Sequence, residues 1–503
     1  MKRKRTTDVL IKPVKYSSVL LFLVFLQTVR SQDMNNETGF RANDSATYAM
    51  YLQGDWDELI RLGNSMLRDG IDYPYLRTRL GTAYFYSQNY SRSVSEFDKA
   101  LRMNAYDPYA LLMQYYALEA VLKQTEAGSV CRKMPPSLQK QTQKSSRFRL
   151  REAHVDAGYI SRQGESVMSA QQLMGNDSLY GEELLYQSGL FTDAGLLMQF
   201  YPGINLYAGI QLVNPEVHNR FAYFRSWPVT DTIISSDGFD SYYYRLDSRA
   251  IDTVYSHKIR QTSFYTQLNY APSARVRLTV SAHLMQVKRP YTAGFLEERF
   301  WSDTAWVNTT TGEVSMIEVP LGTYSFVNKE DKFTDWSAGA EIRLHSGIIT
   351  GDAGVYLTET YRQKTLQMQG GIMLMPYGNM NFYTHTRVAL LHTEGANNIV
   401  FKQSAGGRLL GPVWLEASLT SGQAGRFADQ SAYLVFNSPD EPQLRTEAVC
   451  TIILTNKLQL SLRHHFQNLN HKYYSYDTEK AGMTTKEYTI QTHTLTGGIK
   501  WIF

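Results

Sequence analysis

Serine, histidine and arginine are the residues of this chain whose spacing suggests chemistry. Ser281 and His283 stand two apart, so in an extended strand they share a face. His464 and His465 are adjacent, so only one can face inward, and His385 and His392 lie near the two ends of one alternating run. A serine hydrolase also needs an orienting group and an oxyanion site. No spacing here supplies them, so a hydrolase ranks third among the functional readings and no enzyme is expected. No metal-ligand spacing, phosphate-binding glycine loop or nucleotide motif occurs. The expectation is therefore no catalytic residue, no metal and no cofactor. Arginine says more. Arg275, Arg277, Arg343, Arg387, Arg408, Arg445 and Arg463 fall, with Lys500, on the polar side of alternating segments, as do Glu341, Glu416 and Glu447. Such a face can line a passage, and its excess of guanidinium suits an anionic or sugar-like guest. A polar interior whose charges pair across strands fits the same residues.

The segments that carry those arginines alternate with period two from about residue 147 onward. Val276, Leu278, Val280, Ala282 and Leu284 oppose Arg275, Arg277, Thr279, Ser281 and His283. Leu458, Leu460 and Leu462 oppose Gln459, Ser461 and Arg463, and Trp336, Ala338, Ala340 and Ile342 oppose Ser337, Glu341 and Arg343. Short turns separate many runs, among them Pro202-Gly203, His345-Ser346-Gly347 and Gly411-Pro412. Longer polar segments near 216–257, 291–330, 422–442 and 469–486 read as loops at the opposite end. Short turns at one end and long loops at the other are how transmembrane β-barrels are built. Roughly fourteen strands are expected, within a range of about 12–16. Residues 426–442 read either as a long loop folding over or into the lumen or as an extra strand.

In the last run Leu495, Gly497, Ile499, Trp501 and Phe503 share one face. This resembles the C-terminal signature of outer-membrane proteins, which ends in an aromatic residue. The resemblance makes Trp501 and Phe503 the signal read by the barrel-assembly machinery and makes outer-membrane lipid the surrounding medium.

Ahead of the barrel the pattern differs. Lys2, Arg3, Lys4 and Arg5 precede an apolar stretch from Val19 to Leu26, with Ser31 at a small-residue cleavage pattern. Residues 1–31 are thus expected to be a signal peptide. Over residues 32–131 a 34-residue self-similarity is clearest in Leu80, Gly81, Tyr84, Tyr90, Ser93, Phe97, Ala100 and Asn104. Gly54, Asp55 and Trp56 mark the copy before it, and Pro108 and Ala127 the copy after. This resembles the tetratricopeptide repeat, a helix–turn–helix unit whose stacks bind a peptide or protein. The resemblance implies a repeat core of Leu80, Gly81, Tyr84, Phe97 and Ala100, and an unidentified periplasmic protein as partner. Residues 132–146, with Pro135-Pro136 and several basic residues, read as a linker, and 147–503 as the barrel.

The bulk properties agree. The 503 residues carry a formal net charge of only +4, which argues against nucleic acid as a partner. Mean hydropathy is −0.35, and no later run of about 20 apolar residues supplies a transmembrane helix. There are 35 tyrosines and two cysteines, Cys131 and Cys450, expected in different domains and unpaired. The fold class expected is α + β, with N-terminal tetratricopeptide-like helices followed by a transmembrane antiparallel barrel. The whole arrangement is similar to exopolysaccharide-export porins and YaiO-like barrels. The tyrosine-rich loops and the Met/Gln-rich strand near 366–375 resemble those of the Bacteroidota. The resemblance implies a cell outer-membrane location with a periplasmic repeat domain, and a channel or export porin for polysaccharide or another polar solute. From a different class comes a non-conducting anchor that docks a partner through its repeats.

Overall fold

A computed structural model describes residues 40–142, 148–163, 169–174, 180–435, 440–477 and 482–503. The expected signal peptide lies outside these residues, as does the end of the expected linker. The chain divides into two compact units, Met1–Ala117 and Leu118–Phe503.

The first unit is helical. Its helices are α1 (40–53), α2 (Trp56–Arg68), α3 (Pro74–Tyr86), α4 (Tyr90–Met103) and the larger part of α5 (Pro108–Ala120). Pro74 opens α3, where its missing N–H costs nothing, and the Asn89 side chain caps α4 by accepting from Arg92 N at 3.3 Å. Trp56 and Tyr90 open α2 and α4, and Pro74 and Pro108 open α3 and α5; in both pairs the start recurs after 34 residues. The Leu59, Met66, Leu76, Leu80 and Ala83 side chains form one core. Gly81 lets α3 and α4 close together, since a Cβ there would stand 2.9 Å from the Phe97 ring. Phe97, Ala100 and Tyr84 are buried as well, with Tyr84 Oη accepting from Asn64 at 3.0 Å. Arg77 is buried between Asp72 and Glu96, at 2.6 Å from each.

The second unit opens with α6 (Gln124–Cys131) and α7 (Pro136–Gln141). The helical stretch expected over 32–131 therefore contributes its last helix to this unit. Pro135-Pro136 starts a helix rather than breaking one, because Pro136 occupies the first helical position. The strands follow: β1 (Arg149–Gln163), β2 (Tyr180–Tyr201), β3 (Ile204–Ser236), β4 (Phe239–Lys258), β5 (Arg260–Ser273), β6 (Val276–Asn308), β7 (Val314–Ser346), β8 (Ile349–Thr360), β9 (Gln363–Leu374), β10 (Phe382–Thr393), β11 (Ala396–Leu410), β12 (Val413–Ser421), β13 (Ala428–Asp429), β14 (Leu434–Val435), β15 (Glu441–Ile453), β16 (Leu458–Asp477) and β17 (Gly482–Ile502). A five-residue helix, α8 (Ala170–Met174), lies between β1 and β2.

Consecutive wall strands pair antiparallel, and β17 returns to pair with β1, with Trp501 opposite Ala153. The barrel is thus closed, and among the described residues closure leaves the wall no edge strand. Fourteen strands form the wall. β13 and β14 make a separate two-stranded ribbon, and β4 pairs with the far half of β3 while β5 pairs with its near half. Side-chain parity behaves as the alternation requires. Val280, Leu357, Leu462 and Ile499 are each more than half exposed on the outer face, while Ser281, Thr358 and Thr496 are buried on the inner one. An apolar outer band on a closed antiparallel barrel is what lipid demands, because every backbone group is satisfied between strands. This is the construction of an outer-membrane barrel.

The segments at 216–257, 291–330, 469–477 and 482–486 are strands rather than loops, contrary to their reading from sequence. They continue β3/β4, β6/β7 and β16/β17 as long hairpins, pairing residue by residue as far as Ser236↔Phe239 and Val307↔Val314. Their polar composition reflects two-sided exposure beyond the apolar band, while antiparallel pairing still satisfies the backbone.

Candidate functional site

The polar side chains of the wall converge on the lumen, and two inserted segments divide it. The first is α6, at the end where the turns are short. Its Gly128 lies against the β2–β3 turn so closely that a Cβ would stand 2.2 Å from Gly203 N. Gly203 itself has φ +88°, a left-handed turn position that favours glycine. Thr125 Oγ1 accepts from Asn205 Nδ2 at 3.0 Å, and Arg132 donates to the Ala271 carbonyl at 2.8 Å. Glu126 is fully buried, with Oε1 2.7 Å from His345 Nε2 and 3.4 Å from Arg277 Nε. Burial pushes its carboxyl upward, but the Arg277 charge and the His345 hydrogen bond outweigh that and hold it at about 2. Burial lowers the neighbouring Lys123 ammonium to about 8, against the raising effect of Glu126.

The second insertion is the segment after β12, which enters the lumen and carries the β13–β14 ribbon. Phe427 packs into an apolar pocket of Ala389, Leu391, Val400 and Ala424. The Gln367 side chain reads the backbone of Ala428 in both senses, donating to its carbonyl at 2.8 Å and accepting from its N–H at 2.9 Å. Asp429 meets Lys402 Nζ at 2.5 Å and Arg387 at 3.9 Å. Burial would raise the Asp429 carboxyl, but Lys402, Arg445 and Arg387 together hold it at about 2. The Ser431 carbonyl accepts from Tyr265 at 3.0 Å, the Ala432 carbonyl lies 2.9 Å from His283 Nδ1, and Tyr433 donates to Asp193. Gln430, Ser431 and Ala432 are consecutive left-handed residues, with φ of 50°, 60° and 65°. Non-glycine residues in that region cost on the order of 1 kcal/mol each and persist only where neighbours enforce them. The lumen contacts just described supply that enforcement. Of the two sequence readings of 426–442, the inserted loop is the structure's answer for residues 426–435.

Between α6 and the inserted loop lies a chamber made of adjoining cavities of about 350, 700 and 290 Å³. Gln459 borders all three. The walls carry paired charges: Arg343 with Glu341 at 2.5 Å, Arg387 with Asp352 at 2.9 Å, Arg463 with Glu447 at 3.3 Å and Lys500 with Glu152 at 3.6 Å.

No known family model matches the chain, and no curated relative does. Solved barrels do align with it. The toluene transporter TodX of Pseudomonas putida is 6% identical, over 76% of this chain and 92% of its own, with a TM-score of 0.35. A Pseudomonas aeruginosa FadL homologue is 10% identical over 78% and 94%, with a TM-score of 0.26. The Escherichia coli outer-membrane protease OmpT is 8% identical over 71% and 95%, with a TM-score of 0.19.

The structure places the arginines singled out from sequence in three groups. Arg343, Arg387 and Arg463 border the largest cavity, and Arg277 borders the smallest, next to Glu126. Arg445 is buried, 2.6 Å from His465 Nδ1 and 3.6 Å from Glu447. Arg275 and Arg408 sit at the short-turn end. Arg408 is exposed and donates to the Gly411 carbonyl at 2.6 Å, so it braces a hairpin instead of lining the chamber. The parity of Arg408 is inward, but it lies where the β11–β12 register shifts into the turn. The expected excess of inward cations is also offset. Asp352, Asp429 and Glu126 face the same arginines, as buried guanidinium requires. Asp352 was legible by its parity in β8, and Asp429 lies in the segment for which a lumen loop was one of the two sequence readings; Glu126 comes from a helix whose insertion no local pattern announces. Ser281 and His283 share a face but no Ser281–His283 hydrogen bond forms: His283 Nδ1 lies against the Ala432 carbonyl, and His283 Nε2 is buried without a partner among the described residues. His464 and His493 face each other on the outer surface, 3.2 Å apart. Trp501 and Phe503 also lie on the outer, lipid-facing side, and Phe503 N donates to the Arg151 carbonyl at 2.9 Å.

Proposed function

We propose that this protein is a gated outer-membrane channel for a small polar or charged solute. The observation that carries the reading is the chamber itself: a charged cavity system closed on one side by a strained inserted loop and on the other by a docked helix. A barrel serving only as an anchor has no need of interior space, and loop strain held by many separable polar contacts suits a segment that leaves its seat. Paired charges suit a hydrated guest that exchanges with them one partner at a time. Export of a polysaccharide is a narrower version of this reading and requires both insertions to withdraw together. The N-terminal helices are read as a tetratricopeptide stack, supported by helix starts that recur after 34 residues and by the close Gly81–Phe97 packing. They face the periplasm and recruit a protein partner whose binding is the natural trigger for opening.

The test is single-channel recording in planar bilayers. The intact protein should show rare, brief openings. A variant lacking residues 424–434 should conduct steadily, at several times the mean current. If that variant is inserted and folded by heat-modifiability but passes no current, the channel reading falls and the anchor stands.

A further inference from the structure

Beside the cavity of about 350 Å³, which His154 and Asp156 border, three potential metal ligands converge from two neighbouring strands. His154 and Asp156 are two residues apart on β1 and so share the inner face, and Asp193 projects from β2, where it pairs in register with Asp156. One ligand atom from each lies within 4.8 Å of the other two. Glycine makes the room. A Cβ at Gly498 on β17 would fall 1.7 Å from Asp156 Oδ1, and one at Gly195 on β2 would fall 2.6 Å from His154 Cε1. Both positions thus leave space for the His154 and Asp156 side chains.

Asp193 provides the second, independent observation. It is only 1% exposed, and its Oδ2 takes a hydrogen bond from Tyr433 and lies 2.8 Å from His154 Nε2. Its Oδ1 is buried and has no hydrogen-bond partner among the described residues. A buried carboxylate oxygen left bare beside a second carboxylate is costly, and a cation is the group that relieves it. The cavity at this site, about 350 Å³ and also bordered by Tyr207, Gln430 and Arg463, gives an ion and its water a way in.

We infer that His154, Asp156 and Asp193 form a binding site for a divalent transition-metal ion, with a coordination position open to the chamber. One imidazole nitrogen and two carboxylate oxygens make a mixed N/O set, which suits Zn²⁺ better than the all-oxygen shells of Ca²⁺ or Mg²⁺. Ligand atoms on a tetrahedral zinc stand about 3.3 Å apart for bonds of about 2.0 Å. The two oxygens of Asp193 divide the work, since Oδ2 holds Tyr433 of the inserted loop and Oδ1 faces the ion. The site is independent of whether the barrel conducts.

The test uses the full chain in detergent, stripped with chelator and titrated with Zn²⁺ by calorimetry, with the metal content of dialysed samples measured in parallel. Wild type should take up one equivalent. Asp156→Asn and His154→Ala should each weaken that binding at least tenfold, and His464→Ala, on the outer surface, should leave it unchanged. Heat-modifiability checks that each variant is folded. X-ray absorption on the wild-type zinc complex should show a first shell of one imidazole and oxygen donors. Retention of the equivalent at full affinity in both folded site variants overturns the assignment, as does a first shell with sulfur or several imidazoles.

Discussion

Glu126 shows how much one buried charge can control here. Its carboxylate lies between Arg277 and His345 with no exposed surface, and its value of about 2 lies below the ordinary carboxylate range near about 4.3. A depressed folded-state value means stabilisation that is complete above the ordinary range and is lost as pH falls toward 2. Spin labels at Lys133 and Ser346 should therefore report an unchanged, narrow distance distribution from neutral pH down to about 5, then broadening as pH falls toward 2. Glu126→Gln removes the buried partner of the half-buried Arg277 and of His345, so it should weaken helix docking by about 1–3 kcal/mol and broaden the distribution at neutral pH. A narrow distribution in that variant would show that the ion pair does not hold the helix.

At the scale of elements, the insertions rest on shape as much as on charge. α6 approaches the β2–β3 turn through Gly128, where any side chain meets backbone at Gly203. Gly128→Val should lift the helix and raise resting conductance severalfold, with barrel heat-modifiability unchanged, because the clash lies at the mouth and not within the wall. The same variant with wild-type current would mean that the helix is not a barrier. The loop behaves differently. Its seat combines one apolar anchor, Phe427, with backbone contacts from Gln367, Tyr265 and His283, so no single substitution should empty it.

For the whole molecule, closure of β17 on β1 places the start of β1 and the end of β17 at the same end of the barrel, the end with short turns. With an even number of wall strands, both then face the periplasm when the long hairpins face outward. An epitope tag near Asn43 should be unreadable on intact cells and readable after permeabilisation. Labelling of intact cells would invert the arrangement.

Period-two alternation made the barrel legible, because lipid on one side and a polar lumen on the other impose opposite chemistry on successive residues. The Ser281/His283 face, the inward arginines and the outward Trp501 and Phe503 all follow from that parity. The close α3–α4 packing of Gly81 against Phe97 was legible for a similar reason: close helix pairs need small residues at set positions. What parity cannot carry is long-range placement. Glu126 lies 151 positions before Arg277 in the chain, and Asp429 meets Arg387 and Lys402 only because its segment turns into the lumen. The cluster of His154, Asp156 and Asp193 likewise arises from strand register, which brings Asp156 opposite Asp193. Local patterns assign a residue to a face; which charges meet on that face depends on register and on insertions whose energy comes from contacts distant in the chain.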